Sequence, residues 1–138
     1  MSRRDNTYNV VKSALEREGW RITHDPLLVQ IGRKSAQVDL GAERMIAAEK
    51  GREKIAVEVK SFIGSSTITE FYRALGQFQL YERALKIQYP DRILYLAIPA
   101  ETYEELSKDV FDYEGFGDLR HQIIIYDNIE NIPLKWIK

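Results

Sequence analysis

The sequence has no cysteine and only two histidines, His24 and His121. The first absence excludes a disulfide scaffold, a thiolate nucleophile, an iron–sulfur cluster and every cysteine-ligated zinc site. The second excludes a three-histidine zinc site and leaves a Ser-His-Asp triad poorly supplied. A metal would have to be held by carboxylates and carbonyls, the hard oxygen donors that suit Mg²⁺ or Mn²⁺. Long apolar runs are missing too. Ile123-Ile124-Ile125-Tyr126 is among the longest, against the ~20 residues that a membrane span requires, so no membrane partner is expected. Arg3 and Arg4 have no apolar segment behind them, which argues against a secretory leader and for a cytoplasmic protein. Charge of one sign is lacking as well. Twenty Lys and Arg face 21 Asp and Glu for a net −1, and the pI is about 6.2. No global basic field points to nucleic acid, although the charges can still segregate onto separate faces.

What is present is an ordinary globular mixture, 44% hydrophobic and 30% charged over 138 residues. That length fits a single domain, 1–138, with one core. Asp5 or Asn6 can cap a first helix whose apolar positions Tyr8, Val11, Ala14 and Leu15 recur at helical spacing, and Gly19 ends it. Extended segments are expected at 20–23 and 27–31 around an Asp25-Pro26 turn, then at 36–40 after a turn at 32–35. Gly41 marks a bend or bulge. Segments 45–49 and 54–62 form a hairpin about Gly51-Arg52. In the second of these, Ile55, Val57 and Val59 alternate with an outward set of Ala56, Glu58 and Lys60. A long helix is expected over 68–88 with Ile68, Phe71, Leu75, Phe78 and Leu85 as its core stripe, stopped by Tyr89-Pro90. A strand at 92–98, a short helix near 103–111, a strand at 122–126 and a terminal strand within 132–137 complete the chain. Antiparallel strands come first and a helical crossover follows, so the expected fold class is α/β, a mixed central sheet flanked by helices.

Glu58-Val59-Lys60 breaks the strand pattern in one place. Period two sends its carboxylate and its ammonium to one face. Asp39 stands at the end of another expected strand, 36–40. Two acids from neighbouring strands with a lysine beside one of them can hold Mg²⁺, position an attacking water and offset charge on a phosphate. Hairpin pairing sets Glu58 opposite Met45 and Lys60 opposite Glu43. Asp39 therefore reaches the site only if the chain bends near Gly41, and Glu43 is a rival acid. By spacing alone the commoner reading of Glu-x-Lys is a surface salt bridge.

Longer strings carry a resemblance. The order of helix, hairpin, Asp39, Glu58-Val59-Lys60, and helix with Gln77 resembles the PD-(D/E)XK nuclease superfamily. Almost the whole chain resembles, more closely, the XisH family of cyanobacterial fdxN element excision controlling factors. The residues behind this are Glu18-Gly19-Trp20-Arg21-Ile22-Thr23-His24-Asp25-Pro26-Leu27, Val38-Asp39-Leu40-Gly41-Ala42-Glu43 and Ile46-Ala47-Ala48-Glu49-Lys50-Gly51. They continue with Lys54-Ile55-Ala56-Val57-Glu58-Val59-Lys60-Ser61-Phe62, Ala74-Leu75-Gly76-Gln77-Phe78 and Leu94-Tyr95-Leu96-Ala97. The resemblance implies a restriction-endonuclease-like fold and a role in programmed DNA excision beside a site-specific recombinase and a small XisI-like protein. It implies Asp39, Glu58 and the Val59 carbonyl as metal ligands, Lys60 as the catalytic lysine and Gln77 as the helix residue that supports the site. Val38 stands where the superfamily's namesake pattern has proline. Glu16 is the candidate for the first-helix acid found in many relatives.

On the long helix, Glu70, Arg73, Gln77 and Tyr81 fall on one stripe, away from the Phe71, Leu75, Phe78 face. Gln77 and Tyr81 are expected to face the metal site and Arg73 a phosphate. A solvated polar face is the commoner fate of such a stripe. Arg33-Lys34 and Lys50-Gly51-Arg52 read as soluble turns that could also grip a DNA backbone. Trp20 reads as core or helix stop, Trp136 as core or partner surface, and His24 as a turn hydrogen-bonder. The aromatics Tyr103, Phe111, Tyr113 and Phe116 suggest a packed lid or a dimer patch. Two functions follow: a Mg²⁺-dependent DNA endonuclease, or a controlling factor that binds XisI, DNA or the recombinase on a nuclease-like scaffold without cutting. Cutting both strands would call for two sites, and so for a homodimer.

Overall fold

The computed structural model describes residues 3–36, 45–64, 66–129 and 131–137. The first helix, α1, spans Arg3–Arg17, and strand β1 follows at Arg21–His24. Strands β2 (Val29–Ile31) and β3 (Lys34–Ala36) form a separate two-stranded ribbon, with Gly32 at φ +59 in its turn. Lys34 and Ser35 are therefore strand residues rather than part of the expected turn, because Ile31 pairs directly with Lys34. Strands β4 (Met45–Lys50) and β5 (Glu53–Val59) make the expected hairpin. Its register sets Met45 opposite Glu58, as counting from a Gly51-Arg52 turn requires.

Helix α2 (Thr67–Gln88) crosses over to strand β6 (Arg92–Pro99). Helix α3 (Ala100–Leu106) runs into a π-helical turn at Ser107–Phe111, and a 3₁₀ turn at Gly117–Arg120 leads to β7 (Ile123–Tyr126) and β8 (Lys135–Ile137). The sheet order is β1-β4-β5-β6-β7-β8. The β4/β5 pair is antiparallel, β5/β6 and β6/β7 are parallel, and β7/β8 is antiparallel again. This is a mixed six-stranded sheet with helices on both faces, consistent with the restriction-endonuclease-like architecture.

Strand alternation assigns the two faces. Ile55, Val57 and Val59 join Tyr8, Val11, Ala14 and Leu15 of α1 in one core cluster. On the other face Ala56 and Leu94 pack with Tyr81, Ala84 and Leu85 of α2, and Leu96 and Ile98 pack with Phe71 and Ala74. The set expected to point outward from β5 is thus covered, because α2 lies across it. A strand buried on both faces is the rule where parallel pairing brings a crossover helix over the sheet.

Candidate functional site

The α2 face of β5 carries the polar pair. Glu58 is fully buried at 0% exposure and Lys60 at 5%. Lys60 Nζ lies 3.4 Å from Glu58 Oε1, so the surface salt-bridge reading is overturned. Period two places the pair side by side, and the sheet and α2 remove both groups from water. Burying a carboxylate costs far more than an apolar side chain unless a counter-charge accompanies it, and Lys60 supplies one.

Lys60 is held at three points. Its ammonium donates to Gln77 Oε1 at 2.5 Å. Its backbone N–H donates to the Ala97 carbonyl at 2.9 Å, beyond the last paired residue of β5. Its carbonyl accepts from Tyr126 Oη at 2.8 Å. Gln77, expected to support the site from the long helix, thus meets the lysine ammonium. Tyr126 was not foreseen as part of this arrangement. It ends an apolar run, and only the parallel β6/β7 pairing carries its hydroxyl to the end of β5. Two residues after Lys60, Phe62 takes the left-handed φ of +54, which turns the chain sharply away from the sheet at some cost in strain.

The α2 stripe differs from expectation. Its buried positions are Phe71, Ala74, Tyr81, Ala84 and Leu85, with Ile68, Leu75 and Phe78 only partly buried. The face meeting the sheet runs between Ala74 and Tyr81, so Gln77 sits inside the interface rather than on a solvated face. Tyr81 is 6% exposed within the apolar cluster of Ala47, Ala56 and Leu94, and is a core residue as well as a neighbour of Gln77. Arg73 is exposed. Glu70 accepts a hydrogen bond from the Gly64 N–H at 3.0 Å and closes the loop ahead of α2. Glu16 is exposed on α1, the helix on the opposite face from Glu58. Asp39 and its rival Glu43 lie outside the described residues. Among the described residues no group of three His, Cys, Asp or Glu gathers that could hold a metal.

The remaining candidates resolve simply. Trp20 is core, stacked on Trp136 at 5.6 Å, and Tyr95 meets Trp136 edge-on at 5.1 Å. Trp136 Nε1 donates to Glu18 at 3.2 Å, tying β8 to the end of α1. Burial, and secondarily Glu53, push the Tyr95 phenol above its ordinary pKa. The His24 ring lies 3.0 Å from Thr23 Oγ1 at the turn. Among the described residues no helix is long and apolar enough to cross a membrane.

Sheet topology and the two covered faces together define an α/β protein of the restriction-endonuclease-like class, with a buried Glu58-Lys60 pair and the half-buried Gln77 at the carboxyl end of β5. Within that class the chain belongs to the XisH family, described as XisH protein, which matches residues 1–132. It is similar to the crystal structure of an XisH family protein from Nostoc punctiforme PCC 73102, at 41% identity and a TM-score of 0.81, covering 97% of this chain and 100% of that one. It is similar also to that of an fdxN element excision controlling factor protein from Anabaena variabilis, at 40% identity and a TM-score of 0.81, covering 97% and 99%. No curated protein matches the chain.

Proposed function

We propose that this protein is an fdxN element excision controlling factor that acts on DNA with a divalent metal at a PD-(D/E)XK-like site. The observation that carries the reading is the buried Glu58-Lys60 pair, 3.4 Å apart, with the lysine fixed by Gln77 at 2.5 Å. A structural ion pair gains nothing from so deep a position, whereas a reaction centre needs charges preorganised away from water.

The donor chemistry fits a hard cation. Glu58 and the Val59 carbonyl are adjacent oxygen donors, the kind such an ion prefers. Asp39 lies six residues before Met45, whose backbone pairs with Glu58. A bend near Gly41 would bring Asp39 to the site as the second acid, with Glu43 its rival. Asp39, Glu58 and the Val59 carbonyl would hold Mg²⁺ or Mn²⁺. When bound, such an ion neutralises phosphate charge and acidifies a water. Lys60 would orient an attacking water towards the phosphodiester and stabilise the negative charge that develops there. Gln77 keeps the ammonium aimed, and Glu58 lies 3.4 Å from it as its counter-charge.

The test is cleavage of branched and linear DNA in Mg²⁺ or Mn²⁺ by wild type, Glu58→Ala and Lys60→Ala, alongside calorimetric titration of Mn²⁺. Expected are Mn²⁺ binding lost in Glu58→Ala and cleavage reduced at least 100-fold in both variants, the order a positioned catalytic group contributes. Cleavage that survives both substitutions overturns the reading.

The near-balanced charge, net −1, favours a second reading: a non-catalytic accessory protein that binds an XisI-like protein, DNA or the recombinase. On that reading excision survives Glu58→Ala and fails only when a surface patch is altered.

A further inference from the structure

A concave surface lies apart from the buried Glu58-Lys60 pair, sharing none of its residues. The first half of α2 and the segment from the π-helical turn to the 3₁₀ turn enclose an apolar groove of about 600 Å³. Phe71, Leu75 and Leu119 form its floor, while Tyr72, Tyr113 and Phe116 stand along its rim. The rim aromatics are 66%, 63% and 49% exposed respectively. Three large rings gathered in the open around one apolar floor are unusual for a surface that meets only water.

Charge singles out the same place. Residues 100–120 carry seven acids, among them Asp109, Asp112, Glu114 and Asp118, against Lys108 and Arg120 alone. From chain totals of 21 acids and 20 cations, that leaves 14 acids and 18 cations elsewhere. The segment that supplies one wall of the groove is therefore acidic, while the rest of the chain carries a net positive charge. Asp109 lines the groove itself. Arg120 is engaged, 3.1 Å from Asp112 Oδ1 and over the Phe111 ring at 5.4 Å. The groove wall includes part of a π-helical turn, Ser107–Phe111, a local widening found mostly at functional sites.

We propose that this groove docks a partner protein through an amphipathic helical segment with an apolar face and basic flanks. The floor takes the apolar face, the rim rings clamp it, and the acids of 109–118 meet the flanking cations. Acids at the groove repel a nucleic acid backbone, which selects a polypeptide occupant. The groove shares no lining residue with the Glu58-Lys60-Gln77 set, so docking and any reaction at Lys60 can be lost separately.

The probe is a fluorescein-labelled 18-residue helical peptide of leucine and lysine with one apolar face, compared with the same pattern in leucine and glutamate. Fluorescence anisotropy with wild type should show the lysine peptide bound at least tenfold more tightly than the glutamate peptide. Tyr113→Ser/Phe116→Ser and Asp109→Lys/Glu114→Lys should each weaken it at least tenfold, with far-ultraviolet spectra unchanged. These positions are exposed, so folding is preserved. Lys60→Ala should bind as wild type does. Absence of binding, equal binding of both peptides, or binding unaffected by the two double variants overturns the proposal. So does a wild-type dimer in sedimentation that Tyr113→Ser/Phe116→Ser converts to monomer, since the occupant would then be a second copy of the chain.

Discussion

Glu58 and Lys60 show how much of a residue's behaviour is set by its neighbours across space. Both are buried, and each offsets the other's loss of hydration. Deleting one member of a buried pair typically costs about 3–5 kcal/mol, whereas replacing both with uncharged groups of similar shape is near neutral. Lys60→Met should therefore lower the urea midpoint markedly, and Glu58→Gln/Lys60→Met should recover most of the loss. Tyr95 gives a separate single-residue prediction. Its phenol is raised above its ordinary pKa by burial and then by Glu53. At neutral pH both folded and unfolded chains hold the proton, so no stability is at stake there. Above pH ~10 the unfolded chain releases the proton while the folded chain must retain it, and stability falls as pH rises through that range. Urea midpoints at pH 8 and pH 11 should fall less in Tyr95→Phe than in wild type.

At the scale of elements, α2 joins local sequence to site geometry. Ser66 is its N-cap, at φ −138, and its hydroxyl accepts from the Thr69 N–H at 3.3 Å. Tyr89-Pro90 stops the helix at its other end. Ser66→Ala should cost about 1 kcal/mol in thermal or urea unfolding, without moving Gln77, which sits nearly three turns further along. The helix also shows what periodicity alone left out. The expected stripe does pack on the core, with Phe71 and Leu85 buried and Ile68, Leu75 and Phe78 partly so, but the interface extends further, to Ala74, Tyr81 and Ala84. Two alanines, Ala74 and Ala84, let the helix lie close to the sheet, and a hydrophobicity pattern gives small residues little weight. The ribbon of β2 and β3 was shifted for a related reason. Three-residue strands hold too few side chains to show alternation, and pairing across Gly32-Arg33 fixes them instead.

At the scale of the whole molecule, Arg92 fastens one end of the sheet. From β6 it donates to the carbonyls of Ala48 at 3.2 Å and Ile55 at 3.0 Å, and to Thr23 Oγ1 at 3.2 Å. It also reaches Glu49 at 3.3 Å. One guanidinium thus ties β1, β4, β5 and β6 together at the end opposite Lys60. Arg92→Ala leaves buried acceptors unsatisfied, at about 1–3 kcal/mol for each such group. The expected result is a loss of at least about 2 kcal/mol in equilibrium unfolding, and Arg92→Lys should restore only part of it because a single ammonium cannot span those acceptors. Nothing in the local sequence marks this arginine, because its partners come from three other strands.

The sequence by itself determined the order of helices and strands, the hairpin register that sets Glu58 opposite Met45, the α/β class and the shared face of Glu58 and Lys60. All of these follow from short-range periodicity and turn chemistry, which neighbouring residues carry in full. Its longer strings pointed to the XisH family, and the contact between Gln77 and Lys60 came from the structure. The tertiary structure alone decided that the Glu58-Lys60 face is buried, that Tyr81 belongs to the core and that Tyr126 holds the Lys60 backbone. It also decided that Tyr72 and Phe116, distant in sequence, share one groove. Burial and convergence depend on which elements pack over one another, and a helix crossing a sheet is fixed by the summed fit of many distant side chains, which no local segment specifies.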